Sequence, residues 1–484
     1  MVQKIFRKKT FFLVLFLLIF NFPPAAAQKE IALSEAIEMA LEKNKAVLVA
    51  KEGLSVARGL RTQARSAFLP KLEAEGAYII TEELPEMEIP KDSFVDGFPP
   101  EDTSASMDFT YDYSLNFNLT QPLFTGGKIW YANRQASLNY RVAEEKYRQS
   151  REAVILQVKT AFYGALLAQE FVNLTREALS LAKEHLRITK NRYRAGEIPE
   201  YEVLSAEVEL ANLKPNVIKA ENGMKLALLG LKNILGLGLE EEISVKGGFE
   251  KTEFAMDLDE CISKGIRERA DLSQLNYQKE MGEHMVRLAR AGYFPNLALV
   301  GSYQMFTNEL AEAWGTSYSV LLGFSMPLFE GFLTRGKMHE AKGILRTASL
   351  GQEMLQEGIK LEIRQTYNGV EEARELIAAS EEAVRMSKRG VQIAEVSYAQ
   401  GVITSLEVMG ARLALTQAKT SYIQALYDYI ISIAKLENAM RGGRVELKGL
   451  GAGMEEELAD KAKKAFEGTG SDAMGSGTLE RGMR

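Results

Sequence analysis

Between Asp108 and Gln121, apolar and polar residues alternate without a break. Phe109, Tyr111, Tyr113, Leu115, Phe117 and Leu119 interleave with Thr110, Asp112, Ser114, Asn116, Asn118 and Thr120. A period of two yields one apolar and one polar face only in a strand. At ~3.3 Å per residue the segment reaches about 40 Å, enough to cross a bilayer when tilted. Aromatics clustered toward one end suit the interfacial girdle of a membrane barrel. One alternating strand also fits the edge of a soluble sandwich, so the neighbouring segments must decide. Three more strands are predicted, over Lys71 to Ile80, Asn296 to Phe306 and Ser317 to Met326. Leu297, Leu299, Tyr303 and Met305, then Tyr318, Val320, Leu322 and Phe324, keep the alternation, although Val300 and Leu321 blur it.

From Lys128 to Tyr193, and again from Leu333 to Tyr398, the period becomes helical. Val154, Val158, Ala161, Ala165 and Ala168 mark one stripe, and Ile359, Ile363, Thr366 and Val370 the other. About 66 residues at ~1.5 Å each make a rod near 100 Å. Ile155, Phe162 and Leu166 add a second apolar face, as expected where a helix lies between two neighbours in a cylinder. Gly164 and Gly369 sit mid-rod, either as points of close helix approach or as tolerated weak spots. Gly196 and Gly401 fit the left-handed residue just beyond a helix C-terminus. Pro199 then opens one returning helix and Thr404 or Ser405 caps the other, and the two run to about Leu235 and Met440. Pro215 falls inside the first, opposite Thr420, and predicts a kink at a cost of about 3 kcal/mol.

These elements come in two copies. Ile31 to Ile37 (IALSEAI) returns as Met256 to Ile262 (MDLDECI), and Phe68 to Leu72 (FLPKL) as Tyr293 to Leu297 (YFPNL), both 225 residues later. Past the strands the offset is 205: Gln121 to Gly126 (QPLFTG) pairs with Met326 to Gly331 (MPLFEG), and Tyr193 to Gly196 (YRAG) with Tyr398 to Gly401 (YAQG). The difference lies in a long Pro-rich, acidic loop, Thr81 to Met107, where length is tolerated. Pro70 and Pro295 stand where a strand begins, Pro122 and Pro327 where one ends. The predicted order is a signal peptide (1–27), helices (28–70), two strands (71–121), a long helical hairpin (122–235) and a linker (236–257). The second copy follows with helices (258–295), strands (296–326) and hairpin (327–440). An irregular segment and tail (441–484) close the chain, disordered after about Glu467.

Lys4, Arg7, Lys8 and Lys9 precede an apolar run from Phe11 to Phe20, and Ala25-Ala26-Ala27 ends it: a secretory signal peptide cut after Ala27. A membrane anchor would need roughly 18 or more apolar residues, and no later segment reaches that length. Residue 28 is Gln, so no lipoprotein acylation site is present. The chain carries 59 basic and 65 acidic residues; without the peptide's four basic ones the net charge falls from −6 to near −10, which argues against a nucleic-acid partner. The lone Cys261 allows no intrachain disulfide. His185, His284 and His339 lie far apart and read as solvated helix-face residues. With no Gly-rich phosphate loop and no nucleophile-base pair, neither enzyme chemistry, nor a cofactor, nor a metal site is expected. Met residues are scattered, so no stripe marks a metal-export path.

Four membrane strands cannot stand alone, because open edges in hydrocarbon leave backbone groups unsatisfied at several kcal/mol each. Two chains would give eight strands and a filled interior, so three chains and twelve strands is the smallest open barrel. A secreted coiled-coil scaffold would explain the rods but not the matched strands. The Leu33 to Ile37 opening (L-x-E-A-I), the paired P-L-F-x-G signals and the paired Y-x-x-G turns followed by E-V-L or E-V-M resemble the TolC-type outer-membrane efflux proteins over nearly all of the mature chain.

The resemblance implies a mixed α and β membrane protein. Four strands per chain form a trimeric twelve-stranded β-barrel continuous with a long α-helical coiled-coil periplasmic barrel. It implies the exit duct of a tripartite efflux pump or type I secretion system, set in outer-membrane lipid. The implied partners are an inner-membrane transporter and a periplasmic adaptor that docks near the turns at Tyr193, Gly196, Tyr398 and Gly401. It also implies an acidic gate just after the second turn, at Glu407, with Glu202 its counterpart. The family's second acidic position falls on Gly410, and on Ser205 in the other copy, leaving one ring of three Glu407 carboxylates. Such a ring would favour cations and raise its members' pKa values. Glu407 also fits a simpler task, complementing its own helix N-terminus. Drug, protein and metal cargo all stay open.

Overall fold

The computed structural model describes residues 29–78, 86–90, 103–106, 113–250, 254–307 and 314–441. The signal peptide, residues 108–112 of the first alternating stretch, most of the long loop and the expected tail lie outside the described residues.

In chain order the elements are β1 (Lys29–Ile31), α1 (Leu33–Lys43), α2 (Lys45–Ser66), β2 (Lys71–Tyr78), β3 (Glu86–Ile89), β4 (Thr103–Ser106), β5 (Tyr113–Phe124), α3 (Lys128–Arg194), α4 (Glu200–Leu235) and β6 (Ile243–Val245). Then come α5 (Leu258–Glu268), α6 (Ala270–Arg290), a 3-10 turn (Ala291–Tyr293), β7 (Asn296–Thr307), β8 (Gly315–Ser325), α7 (Leu333–Ala399) and α8 (Ser405–Arg441). The two long helices, α3 and α7, are 67 residues each. They contribute to both of the compact units into which the chain divides: residues 51–147 with 271–355, and the remainder.

The first unit holds a four-stranded antiparallel sheet in the order β2-β5-β7-β8. Nothing in these four strands is buried, on either face. Elsewhere in this unit Leu54 and Ala57 of α2 pack with Tyr140 of α3, and the Arg61 guanidinium covers the Tyr140 ring at 5.2 Å. A core of this size orders helices but gives the sheet no cover.

The other unit is built on helix packing. Fully buried Phe162, Val154 and Val158 of α3, Ile359, Ile363 and Ile377 of α7, Leu231 and Leu235 of α4, and Leu436 and Met440 of α8 form its core. Gly265 of α5 is the place of closest approach: a Cβ there would lie 2.3 Å from Ile363 Cδ1 and 3.6 Å from Met440 Cα. Gly164, by contrast, has nothing within 4 Å of an added Cβ, and Gly369 only Ser432 Oγ at 3.9 Å, so within one chain these two are weak spots and not contacts. Asp257 caps α5, its carboxylate accepting the Glu260 N–H at 2.7 Å.

Three features depart from the sequence pattern. A parallel pair joins β1, in the stretch expected to be helical, to β6, in the segment expected to be irregular, and a short antiparallel pair, β3 with β4, lies within the long loop. Strands of three or four residues carry too little alternation to be read. α4 spans Pro215 as one helix, as its expected run to Leu235 requires. Both Pro215 and Ala211, whose carbonyl loses its helical donor there, are exposed, so water can satisfy that carbonyl. β5 continues past Pro122 to Phe124, with a register shift between those two residues.

Candidate functional site

The register of the sheet sorts its residues by face, because directly paired residues share a face. One set of rows is Leu72–Leu119–Gly301–Val320, Ala74–Phe117–Tyr303–Tyr318 and Gly76–Leu115–Met305–Thr316. The rows between them are Glu73–Asn118–Ser302–Ser319 and Glu75–Asn116–Gln304–Ser317. In these rows one face is apolar and aromatic and the other is acid, amide and hydroxyl; outside them Val300 and Leu321, in the row of Lys71 and Thr120, and Phe306, paired with Ser114, fall on the second face. Ser302 and Ser319 hydroxyls hydrogen-bond across the polar face at 2.8 Å, and the Phe117 and Tyr303 rings lie 6.4 Å apart on the apolar one. The apolar side chains are bare: Tyr318 is 83% and Val320 73% exposed. A sheet with this pattern is suited to a boundary between hydrocarbon and water. Its ends are marked by proline: Pro70 and Pro295 immediately precede β2 and β7, and Pro327 lies between β8 and α7.

In the other unit, each long helix turns at a glycine. Gly196 has φ +77° and Gly401 φ +74°. The Gly196 N–H donates to Tyr193 C=O and the Glu197 N–H to Arg192 C=O, while Gly401 and Val402 donate to Tyr398 and Ser397 in the same way. That paired closure fixes each turn, and a left-handed residue without a side chain adopts it freely. Just above each turn an ion pair ties the hairpin together, with the charges exchanged: Lys190 to Glu207 in the first, Glu395 to Arg412 in the second, both at 2.7 Å. Pairs this exposed contribute about 0–1 kcal/mol each.

Glu407 opens α8 in a reciprocal cap. Its Oε2 accepts the Thr404 N–H at 2.8 Å and the Thr404 hydroxyl at 2.9 Å, while Thr404 Oγ1 accepts the Glu407 N–H at 3.4 Å. The Thr404 N–H first, and its hydroxyl second, hold the carboxyl below the ordinary carboxylate range. Within one chain the side chain therefore complements its own helix terminus. Glu202 occupies the first turn of α4 after the cap residue Pro199. One of its carboxylate oxygens is buried with no hydrogen-bond partner among the described residues. Ser205 is half-buried, Tyr193 is exposed, and a Cβ at Gly410 would meet open space.

His185 corrects an expectation. It is 6% exposed, and its Nε2 lies 2.8 Å from the hydroxyl of Ser405, itself 1% exposed, so α3 is joined to the first turn of α8. Its ring is 6.0 Å from that of Tyr398, over which Arg192 sits at 5.2 Å. His284 is likewise buried, against Trp130 and Tyr131; only His339 is exposed. The signal was present: His185 follows buried Ala182 by three positions and precedes buried Thr189 by four, on one helical stripe.

Burial first, and Arg412 second, push the His185 imidazole below its ordinary value. The unfolded chain therefore takes up this proton near pH 6.5, where the folded chain resists it. The His185–Ser405 contact is at full strength above that pH and weakens as pH falls below it toward the lower folded value. The protection factor of the first turn of α8 against hydrogen exchange, corrected for the intrinsic rate at each pH, should fall between pH 7.5 and 5.5, and His185→Gln should flatten the change. An equal fall in the Gln variant would assign it to another group.

The outer membrane efflux protein family matches residues 36–237 and 261–442. The chain belongs to the outer membrane efflux protein family. Over 390 residues it is 23% identical to the outer membrane protein TolC of Vibrio cholerae, covering 78% of this chain and 83% of that one. It is 23% identical over 341 residues to the alkaline protease secretion protein AprF of Pseudomonas aeruginosa, covering 68% and 70%. The crystal structure of the Campylobacter jejuni CmeC outer membrane channel superimposes with a TM-score of 0.71 at 19% identity, covering 89% of each chain. This efflux protein is thus an outer-membrane exit duct, and its family is one of transport channels and not of enzymes. Among its described residues no helix is long and apolar enough to cross a membrane. The two-faced sheet is the element suited to that task.

Proposed function

We propose that three copies of this chain pool their sheets into one twelve-stranded barrel, and that the duct serves a tripartite efflux pump or a type I secretion system. The observation that carries this is the register of the four-stranded sheet, with one apolar and one polar face, neither of them covered. Its outer strands, β2 and β8, each have a neighbour on one side only. An edge left open in hydrocarbon costs several kcal/mol per backbone group, which favours pairing β8 of one copy with β2 of the next. Eight strands would leave no lumen; twelve leave one.

The two halves of the chain read as a duplication, supported by two 67-residue helices with matching turns and ion pairs. By symmetry three hairpin pairs would line a tunnel mouth, with a periplasmic adaptor docking near Tyr193, Gly196, Tyr398 and Gly401 and passing cargo from an inner-membrane transporter. Glu407 is the proposed gate residue, and its cap with Thr404 would set where a ring of three carboxylates stands. Single-channel recordings in planar bilayers test both levels. Discrete conductance with cation preference is expected, and Glu407→Ala should reduce that preference. An unchanged preference in Glu407→Ala would remove the ring, and the absence of any conductance would remove the duct.

A further inference from the structure

The chain is acidic overall, but the stretches that border the sheet are not. Residues 55–70, 125–141, 283–296 and 328–346 hold twelve Lys and Arg against three Glu, in a chain whose net charge is −6. They are the ends of α2, α3, α6 and α7 nearest the four strands, all within the first unit. Part of this charge is already answered. Arg134 pairs with Glu280 at 3.2 Å, Arg141 with Glu144 at 2.9 Å, and the Lys128 ammonium donates to Asn296 Oδ1 at 3.4 Å. Arg58 and Arg65 of α2 and Arg287 and Arg290 of α6 are exposed and make no ion pair among the described residues. The same holds for Arg335, Lys342 and Arg346 of α7.

The two sides of these helix ends differ in charge. Lys128, Lys337, Glu330 and Glu340 line a cavity of about 570 Å³ together with Asn296 and Ser325. Asn296 pairs with Ser325, and each stands an even number of residues from Ser302 and Ser319, so the cavity lies on the polar side of the sheet. There two cations meet two carboxylates. On α7, Arg335, His339, Lys342 and Arg346 recur at helical spacing and, at ~100° per residue, fall roughly opposite Lys337 and Glu340. That is the apolar side. With Glu330 and Glu340 in the cavity, only Glu283 of the three Glu is left to oppose the unpaired Arg and Lys.

An aromatic pair adjoins this stripe. Phe332 shares a shallow hollow with Arg335 and His339, and the Phe329 ring lies edge-on to it at 5.8 Å; both rings are exposed. Phe332 has φ +66°, the one positive value of a non-glycine residue among those described, whereas its counterpart 205 positions earlier is Gly127, at φ +88°. A bulky residue keeps that conformation only against steric cost. What the backbone holds in place there is a bare ring at the level where strand gives way to helix, and aromatic rings gather at the level of lipid headgroups.

We infer that the apolar-side surface of these helix ends docks anionic phospholipid in the leaflet next to the helices, with Phe329 and Phe332 at headgroup level and the Arg and Lys side chains on headgroup phosphates. The inference rests on the proposed barrel, which sets the apolar rows of the sheet in lipid. From Arg335 to Arg346 α7 descends ~16 Å, which spans a headgroup layer of about 5–8 Å and about one Debye length beyond it. All four stripe residues therefore feel the surface charge. A basic cluster so placed draws anionic lipid from a mixed leaflet, whereas a zwitterionic headgroup brings its own cation and gains less.

The test uses the full chain reconstituted in phosphatidylcholine bilayers with a trace of chain-spin-labelled phosphatidylglycerol or phosphatidylcholine. Electron spin resonance gives the motionally restricted fraction of each lipid, and from the two fractions their relative association constant. Phosphatidylglycerol should be favoured about threefold or more at low salt, and the preference should vanish in about 1 M salt, where the Debye length is only ~3 Å. It should vanish as well in the variant Arg287→Gln, Arg335→Gln, Lys342→Gln, Arg346→Gln, and persist in Lys128→Gln with Lys337→Gln on the polar side. Equal restricted fractions, a preference that survives salt or the four substitutions, or one lost equally in the polar-side variant would overturn this surface and leave the barrel standing. No restricted fraction for either lipid would overturn the barrel and the surface with it.

Discussion

Phe117→Arg should strongly reduce accumulation of the protein in the outer membrane, whereas Asn118→Arg, one position along the same strand, should leave it nearly intact. Phe117 shares its row with Ala74, Tyr303 and Tyr318, so the new guanidinium would stand in hydrocarbon. An Arg near the midplane of a lipid-facing strand costs about 2–4 kcal/mol, and in three pooled copies that cost is incurred three times. Marginal stabilities of about 5–15 kcal/mol do not survive such a loss. Asn118 shares its row with Glu73, Ser302 and Ser319, where a cation meets water and a carboxylate. Quantifying heat-sensitive oligomer in outer-membrane fractions should show at least a tenfold deficit for Phe117→Arg alone. Equal tolerance at both positions would mean that the two faces do not see different solvents.

Lys159→Met should destabilise the helical packing strongly. Glu437 is buried, its side chain only 5% exposed, and its carboxylate lies 2.5 Å from the Lys159 ammonium, which is 20% exposed. Removing the cation strands a buried carboxylate, a change that costs about 3–5 kcal/mol, whereas replacing both partners with apolar residues is often close to neutral. The double variant Lys159→Met with Glu437→Leu should therefore recover most of what the single variant loses. Chemical denaturation of the extracted protein, followed by helical circular dichroism, reads both. A double variant as unstable as the single one would show that volume at this point of the α3–α8 contact matters and charge does not.

The strands and rods were legible because their signals are long. Each row of Leu, Phe and Tyr repeats every second residue, and each α3 or α7 stripe repeats every three or four over 67 residues. Ile31 and Ile243, both fully buried in the β1–β6 pair, were not legible as strands, since three residues carry no period. Gly196 and Gly401 announced themselves by position after a long helix, and their positive φ values follow. His185 was missed as a buried group because polarity suggested solvent; its spacing from Ala182 and Thr189 outweighs that. At Glu407 the resemblance pointed to a ring between chains, and one chain shows the cap with Thr404, so the same carboxylate can be fixed by the first and used in the second.

On the proposed reading one face of the β2-β5-β7-β8 sheet lines a water-filled lumen while the other faces lipid. Current through single channels of Asn116→Cys and Leu115→Cys, recorded before and after a cationic methanethiosulfonate reagent, addresses it most directly, with the buried Cys261 as a silent background. Asn116 lies in the polar row with Glu75, Gln304 and Ser317, so its channel should lose current stepwise on modification while Leu115→Cys does not respond. A response at Leu115→Cys with none at Asn116→Cys would contradict the account.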